Sequence, residues 1–210
     1  MQAILFDFDR TLWDTDEGIY DCNKHVAQIF GITNYPSYNE YHALLHLHWH
    51  KIYAHVGIHP ETWDEADHLF SQFLPEFTAE SKPFLGIEEL IPSLAERNKL
   101  AIVSSSFRHA IEPLLQKYNL RDCFSALIDW YTKPHKPNPH PVYEALVALH
   151  AKNSNSCFIG DAQDDILAGK AAGLAKVYGA AWNTLSKERV HGADAIFSSP
   201  KELEKILNNQ

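Results

Sequence analysis

The sequence predicts an α/β fold: a three-layer core, with a parallel sheet between two layers of helices, and an all-helical insertion after the first strand. Three observations carry this. Short apolar runs alternate with helical patterns from residue 83 onward, the rhythm of a parallel sheet covered on both faces. A single apolar run, Ala3-Ile4-Leu5-Phe6, precedes them near the start of the chain. Between lies a stretch, from about Glu17 to Glu80, with helical periodicity, many aromatics and no strand pattern.

Each element has a local reason. Residues 3–8 read as a buried strand because the run is apolar throughout. Gly31 with Pro36, and Gly57 with Pro60, break the helical insertion into separate helices. Residues 87–98 read as a helix, 100–104 as a strand, 109–118 as a helix and 124–128 as a strand. Prolines at the start of 139–150 suit a helix, because a missing N–H is harmless there. Residues 157–160 read as a strand and 164–172 as a helix that Gly173 closes. A short strand over 175–178 and a helix over 200–207 complete the chain. The division expected is a core of 1–14 with 84–210, and an insertion of 15–83 with hinges near Asp14–Glu17 and Ser81–Gly86. An insertion at that point has the position of a lid over the carboxyl ends of the strands.

Composition excludes several function classes. The 210 residues hold one core and a smaller accessory unit, and a net charge of −9 repels nucleic acid and anionic lipid. Three scattered cysteines, Cys22, Cys123 and Cys157, give neither a disulfide framework nor a CxxC metal site. No basic region precedes the first apolar run, and no apolar stretch nears the roughly 20 residues that a membrane helix needs. A cytoplasmic protein, monomer or homodimer, is expected.

The chemistry lies at the ends of the strands. Asp7 and Asp9 flank Phe8 directly after the first apolar run. Carboxylates there point into the crevice where open α/β sheets bind ligands, and burying them is costly unless a metal or substrate needs the charge. Ile102-Val103 leads into Ser104-Ser105-Ser106, Lys136-Pro137-Asn138-Pro139 follows Tyr131 to His135, and Phe158-Ile159 leads into Gly160-Asp161, with Asp165 four residues on. Singly, each has a plainer reading: a serine run caps a helix, a lysine among prolines lies in a solvated turn, and Gly-Asp makes a turn. Their order is the signal.

These motifs resemble the haloacid dehalogenase superfamily, in its phosphatase branch. That branch carries DxDxT, a hydroxyl after the second strand, a lysine often written KPxP, and GDxxxD. The chain supplies Asp7-Phe8-Asp9-Arg10-Thr11, Ser104, Lys136-Pro137-Asn138-Pro139, and Gly160-Asp161 through Asp164-Asp165. The insertion resembles the helical cap of the phosphoglycolate phosphatase and β-phosphoglucomutase type. The resemblance implies a Rossmann-like core and a Mg²⁺-dependent phosphatase acting on a small phosphorylated metabolite. It implies Asp7 as nucleophile and Asp9 as acid and base. Ser104, with the backbone around Ser105, would bind the phosphoryl oxygens, and Lys136 would hold nucleophile and phosphate together. Asp7, the main-chain carbonyl of Asp9 and Asp161 would ligate Mg²⁺, with Asp165 as support or a further ligand. A phosphomutase is the close alternative, and a non-catalytic metabolite-binding module the alternative from another class.

Charge makes a parallel demand. Asp7, Asp161 and a phosphomonoester dianion total −4 in a small crevice, and like charges at 4 Å repel by about 4 kcal/mol at an effective dielectric near 20. Mg²⁺ and Lys136 bring that to −1, and an all-oxygen site suits a hard cation. Proximity to Asp7 raises the proton affinity expected of Asp9. The second aspartate favours an oxygen leaving group, which needs a proton, over a halide, which does not.

Some features stay open. Arg10 stands where the family usually has glycine; its side chain either turns outward to a carboxylate or meets an anionic substrate. Arg108 is expected in a surface salt bridge. His42, His46 and His50 recur at four-residue intervals, which on one helix would stack them on one face, and His55 and His59 repeat the spacing. The reading favoured is a polar or interfacial face, or core histidines with satisfied hydrogen bonds, and not a transition-metal site; one of them touching substrate is the milder alternative. Trp49, Trp63, Phe70, Phe73 and Phe77 are expected to form the insertion's own core. Trp13 either lines the pocket or packs at the first hinge.

Overall fold

The computed structural model describes residues 2–45, 47, 49–183 and 190–207. In chain order its elements begin with β1 (Ala3–Phe6), β2 (Trp13–Asp14), α1 (Asp16–Ile29), α2 (Tyr38–Leu44), α3 (Trp49–Val56), α4 (Trp63–Thr78) and β3 (Lys82–Pro83). They continue with α5 (Ile87–Ala95), β4 (Lys99–Val103), α6 (Arg108–Lys117), β5 (Phe124–Ile128) and α7 (His140–Ala148). The last are β6 (Ser156–Gly160), α8 (Gln163–Ala171), β7 (Lys176–Ala180), β8 (Ala195–Phe197) and α9 (Pro200–Leu207). Contacts divide the chain into an α/β unit, Met1–Asp14 with Lys82–Gln210, and a helical unit, Thr15–Ser81.

In the α/β unit six strands lie in the order β5-β4-β1-β6-β7-β8, and every pairing is parallel. The chain builds outward from β1 on one side, through β4 to β5, then returns to β6 on the other. The order therefore reverses at β1, and the crevice at the carboxyl end of such a switch point is where open sheets bind ligands. Alternation within β1 shows why there are three layers. Ile4 and Phe6 pack with Leu90, Ile91 and Leu94 of α5 and Leu203 of α9, whereas Ala3 and Leu5 pack with Val142 and Leu146 of α7 and Ile166 of α8. A strand buried on both faces shows no polar alternation, so it reads as a continuous apolar run.

Three short strands are not legible in the sequence. β2 and β3 pair antiparallel, Trp13 opposite Pro83 and Asp14 opposite Lys82, so the two chain crossings into the helical unit leave from one ribbon. β8 adds a sixth strand beside β7. Two or three residues are too few to display a period of two. Of the two places expected for Trp13, the structure gives the one at the first crossing: it lies in β2, one residue before the division at Asp14 and Thr15. It is fully buried in the α/β core, with its ring stacked on Phe8 at 5.1 Å and edge-on to Tyr118 at 5.6 Å.

The helical unit is a hairpin of α1 and α4 with α2 and α3 packed on it. Gly31 and Gly57 adopt φ of +78° and +97°, the left-handed conformation that ends a helix. Its core centres on Tyr20, Tyr41 and Ile52, with Tyr35, Leu44 and Leu45 against them. Of the tryptophans and phenylalanines expected there, Phe70 is buried, while Trp49, Trp63, Phe73 and Phe77 are half-buried. The single histidine face does not form, because α2 ends at Leu44 and α3 starts at Trp49. His42 instead faces Asp16 at 3.6 Å and His50 faces Asp67 at 3.2 Å. His59 lies outside any α-helix, and His46 is outside the described residues. Among the described residues the histidines assemble no metal-binding group.

Candidate active site

The tip of β1 sets the geometry. The Asp7 N–H donates to the Ile159 carbonyl at 2.9 Å, so the ladder with β6 runs one residue past the strand. The next residues turn sharply: the Phe8 carbonyl accepts from the amides of Thr11, Leu12 and Trp13 at 3.3, 2.8 and 3.0 Å. Phe8 points into the core beside Phe6, as a period of two requires. Asp7 then shares the side of Leu5, the face that α7 and α8 cover. Asp7 is buried and Asp9 half-buried. Arg10 sits at φ +63°, a conformation that costs an L side chain about 1–2 kcal/mol and that glycine adopts freely.

Lys136 gathers the site. It precedes α7 and is 9% exposed, so it does not lie in a solvated turn. Its Nζ donates to Asp7 Oδ1 at 2.7 Å, to Asp165 Oδ1 at 2.6 Å and to the Val103 carbonyl at 3.0 Å. Three donors meet three acceptors from three elements, which satisfies a buried ammonium. Asp165, the third residue of α8, also accepts from the Ala162 N–H through Oδ2 at 3.0 Å. It thus closes the helix N-terminus and anchors the lysine with its two oxygens. Gly160 makes room for it: a Cβ there would overlap Asp165 Cβ, Cγ and Oδ2.

Asp161, at the tip of β6, is 2% exposed. Asp7, Asp161 and Asp165 each offer a carboxylate oxygen, all within 4.8 Å of one another. Three carboxylates against one ammonium leave about −2 in a buried space, where like charges repel strongly. The Asp7 carboxyl responds. Burial pushes its pKa well above the ordinary value; Lys136 pulls it down, and the fields of Asp165, Asp161 and Asp9 push it up again. For Lys136, burial disfavours the charged form, but Asp165 and Asp7 outweigh it and raise the pKa above 10.5. The lysine is therefore cationic and the carboxylates are crowded.

Ser104 ends β4. It is buried, its N–H donates to Ile128, and its Oγ accepts from the Ser106 N–H at 3.0 Å. The serine run is not a helix cap, because the residue before α6 is Phe107. The Arg108 N–H at the helix start turns to Asp129 Oδ2 at 3.4 Å. Ser105 is exposed. Arg108 pairs with Glu112 at 3.3 Å and Asp129 at 3.8 Å, the surface role expected of it.

The strand tips of β1, β4 and β6 and the segment before α7 thus converge as the motif order implies. Residues 4–178 match the family model of haloacid dehalogenase-like hydrolases, most of the chain. The chain belongs to this family. Among relatives of this hydrolase, pyrophosphatase PpaX of Anoxybacillus flavithermus is 30% identical over 99% of this chain and 97% of its own. A phosphoglycolate phosphatase of Aquifex aeolicus is 28% identical over 100% and 98%. In fold, the hydrolase superposes on CbbY of Rhodobacter sphaeroides, solved with phosphate, at a TM-score of 0.84. That pair shares 22% identity, with 97% of this chain and 96% of the other covered. The hydrolase is a phosphatase of this family.

Sequence reasoning missed part of the site. Trp182 Nε1 donates to the Thr11 carbonyl at 2.9 Å and Asn183 Nδ2 to the Arg10 carbonyl at 2.9 Å. They lie two and three residues past the end of β7. The rule that finds Ser104 and Asp161, a polar side chain just past an apolar strand, reaches Asn183 only when extended three residues past β7, and it does not select an indole such as Trp182.

Proposed function

We propose that this phosphatase hydrolyses a small-molecule phosphomonoester in two steps, through an aspartyl-phosphate on Asp7, with Mg²⁺ as its cofactor. The reading rests on one observation: a buried lysine bridging Asp7 and Asp165, with an Asp161 oxygen within 4.8 Å of both carboxylates. The surplus negative charge calls for a cation, and a donor set of oxygens alone fits a hard divalent one. Asp7, Asp161 and the main-chain carbonyl of Asp9 would hold it. Both Asp165 oxygens are engaged, by Lys136 and by Ala162 N–H, so Asp165 supports the set. The ion, when bound, neutralises charge on the transferring phosphoryl group.

The residues divide the work. An Asp7 carboxylate oxygen attacks phosphorus, and the bond from phosphorus to the ester oxygen breaks. Asp9 gives its proton to the departing oxygen. Ser104 Oγ accepts from Ser106 N–H, which leaves its own proton to donate to a phosphoryl oxygen, beside main-chain donors around Ser105. Lys136 holds Asp7 in line and offsets the incoming charge. Asp9, now a carboxylate, takes a proton from the water that attacks the acyl phosphate; inorganic phosphate leaves and Asp7 is restored. In this reading the helical unit, 15–81 once Lys82 and Pro83 are counted with β2 in the core, forms the cap that selects the substrate, the α/β unit carries the chemistry, and the protein works in the cytoplasm.

Relatives named pyrophosphatase support a second substrate class. The same steps would cleave a phosphoanhydride, with phosphate as the leaving group. Phosphate release with Mg²⁺ from a panel that includes phosphoglycolate and pyrophosphate separates ester from anhydride by kcat/KM. Activity is expected to vanish with EDTA and to fall at least ~10³-fold in Asp7→Asn, which removes the nucleophile. Equal trace activity in wild type and Asp7→Asn would end the proposal.

A further inference from the structure

The loop that carries Asp9 is not held by its own backbone bonds alone. Arg10 lies at φ +63°, a conformation that an L residue keeps only where its surroundings enforce it. The loop's amides are spent internally: Arg10 N–H on the Trp13 carbonyl at 2.7 Å, and Thr11 N–H on Phe8 at 3.3 Å. Two of its carbonyls are not. Those of Arg10 and Thr11 accept from the side chains of Asn183 and Trp182, 173 and 171 residues away. The donors are consecutive and stand on a fixed base. Ala181 N–H donates to the Phe197 carbonyl at 2.8 Å, and the Trp182 ring packs on the sheet's core. Two side chains from one strand tip thus clamp two successive peptide units of another.

We infer that Trp182 and Asn183 are positioning residues for Asp9, fixing the strained turn at Arg10 so that the Asp9 carboxyl meets the leaving oxygen; this rests on the acid role proposed above. They act through the backbone. Their loss should therefore weaken proton delivery more than nucleophilic attack once Mg²⁺ is saturating, which offsets any looser hold by the Asp9 carbonyl, and the two effects separate by leaving group. An alkyl phosphate departs as an alkoxide and needs the proton; p-nitrophenyl phosphate departs as a stable phenolate and does not. The quantity to compare is kcat/KM, which covers the steps through the first irreversible transfer and excludes breakdown of the acyl phosphate.

The experiment measures kcat/KM with saturating Mg²⁺ for p-nitrophenyl phosphate and for an alkyl phosphate that wild type turns over. The variants are Trp182→Phe, Asn183→Ala, the double, Asn183→Gln and Asp9→Asn. Trp182→Phe keeps an aromatic ring and removes the donor, with part of the indole's volume; Asn183→Ala tests the clamp without that change of ring. The single variants remain readable if the double fails to fold. Each single variant is expected to lose about 10-fold or more on the alkyl ester, in the range a small misplacement costs, and less than about threefold on the aryl ester. Asn183→Gln, which keeps a carboxamide, should recover part of the loss. Equal losses on both esters, or none, would overturn the inference while Asp9→Asn remains selective for the aryl ester. Should Asp9→Asn also lose both esters equally, the acid role of Asp9 falls, and the inference with it.

Discussion

Lys136 shows how much one residue's position can decide. Its place in a Lys-Pro-Asn-Pro run is visible in the sequence, but its burial is not, because a run with three turn-forming residues reads as solvated. What buries it is tertiary: Asp7, Val103 and Asp165 arrive from β1, β4 and α8. Removing one partner of a buried pair strands the other charge. Lys136→Met, similar in volume and uncharged, leaves three carboxylates facing one another. Without Mg²⁺ at mildly alkaline pH it is expected to lose about 3–5 kcal/mol of stability by urea unfolding. The deficit should shrink on acidification, as protons replace the lysine's charge. An unchanged midpoint would mean that the ammonium contributes nothing to the buried set. Arg10 makes the complementary point: the sequence shows a departure from glycine, and the structure shows a backbone that keeps a glycine's φ.

At the scale of elements, strands of four or more residues and the helices of the α/β unit announce themselves, because each spans at least one period of its own pattern, whereas the break between α2 and α3 does not. The strand over 124–128 and the helix over 200–207 fall where the sequence puts them. Only pairing makes the two-residue β2 and β3 into strands. The junction of β6 and α8 is likewise half legible. Gly160 before Asp161 reads as a turn glycine, yet its φ is not positive. It is glycine because Asp165 lies against its Cα. Two glycine substitutions separate these uses. Gly160→Ala should push Asp165 off Lys136, cost about 1–3 kcal/mol as an overpacked site does, and lower phosphate release at least ~10-fold. Gly173→Ala, at φ +68° after α8, should cost about 1–2 kcal/mol from the backbone alone and leave activity per folded molecule unchanged. Thermal unfolding and phosphate release on both variants check this; activity lost equally in the two would remove the special role of Gly160.

Across the whole molecule, the burial that makes the site reactive also makes it unstable without its ion. The carboxyl of Asp7 has a pKa well above 3.8, from burial first, then from the fields of Asp165, Asp161 and Asp9 against Lys136. A carboxyl whose folded pKa exceeds its unfolded one binds protons better when folded. Its contribution to stability is therefore complete below the unfolded pKa and is lost as pH rises through the raised folded value. Lys136, also raised, loses its own contribution only at strongly alkaline pH, outside this window. A divalent cation among the carboxylates reverses the first loss, since it binds the ionised set and competes with protons. Stabilisation by Mg²⁺ should thus grow with pH. At an ion concentration 100 times its Kd the gain is ~2.7 kcal/mol, about 5–10 °C in Tm for a chain of this size. At acidic pH, where Asp7 holds its proton, the gain should be smaller. Thermal unfolding from about pH 5 to pH 9, with EDTA and with MgCl₂, measures both. A Mg²⁺ shift that stays constant or falls as pH rises would show that the ion is not held by these buried carboxylates.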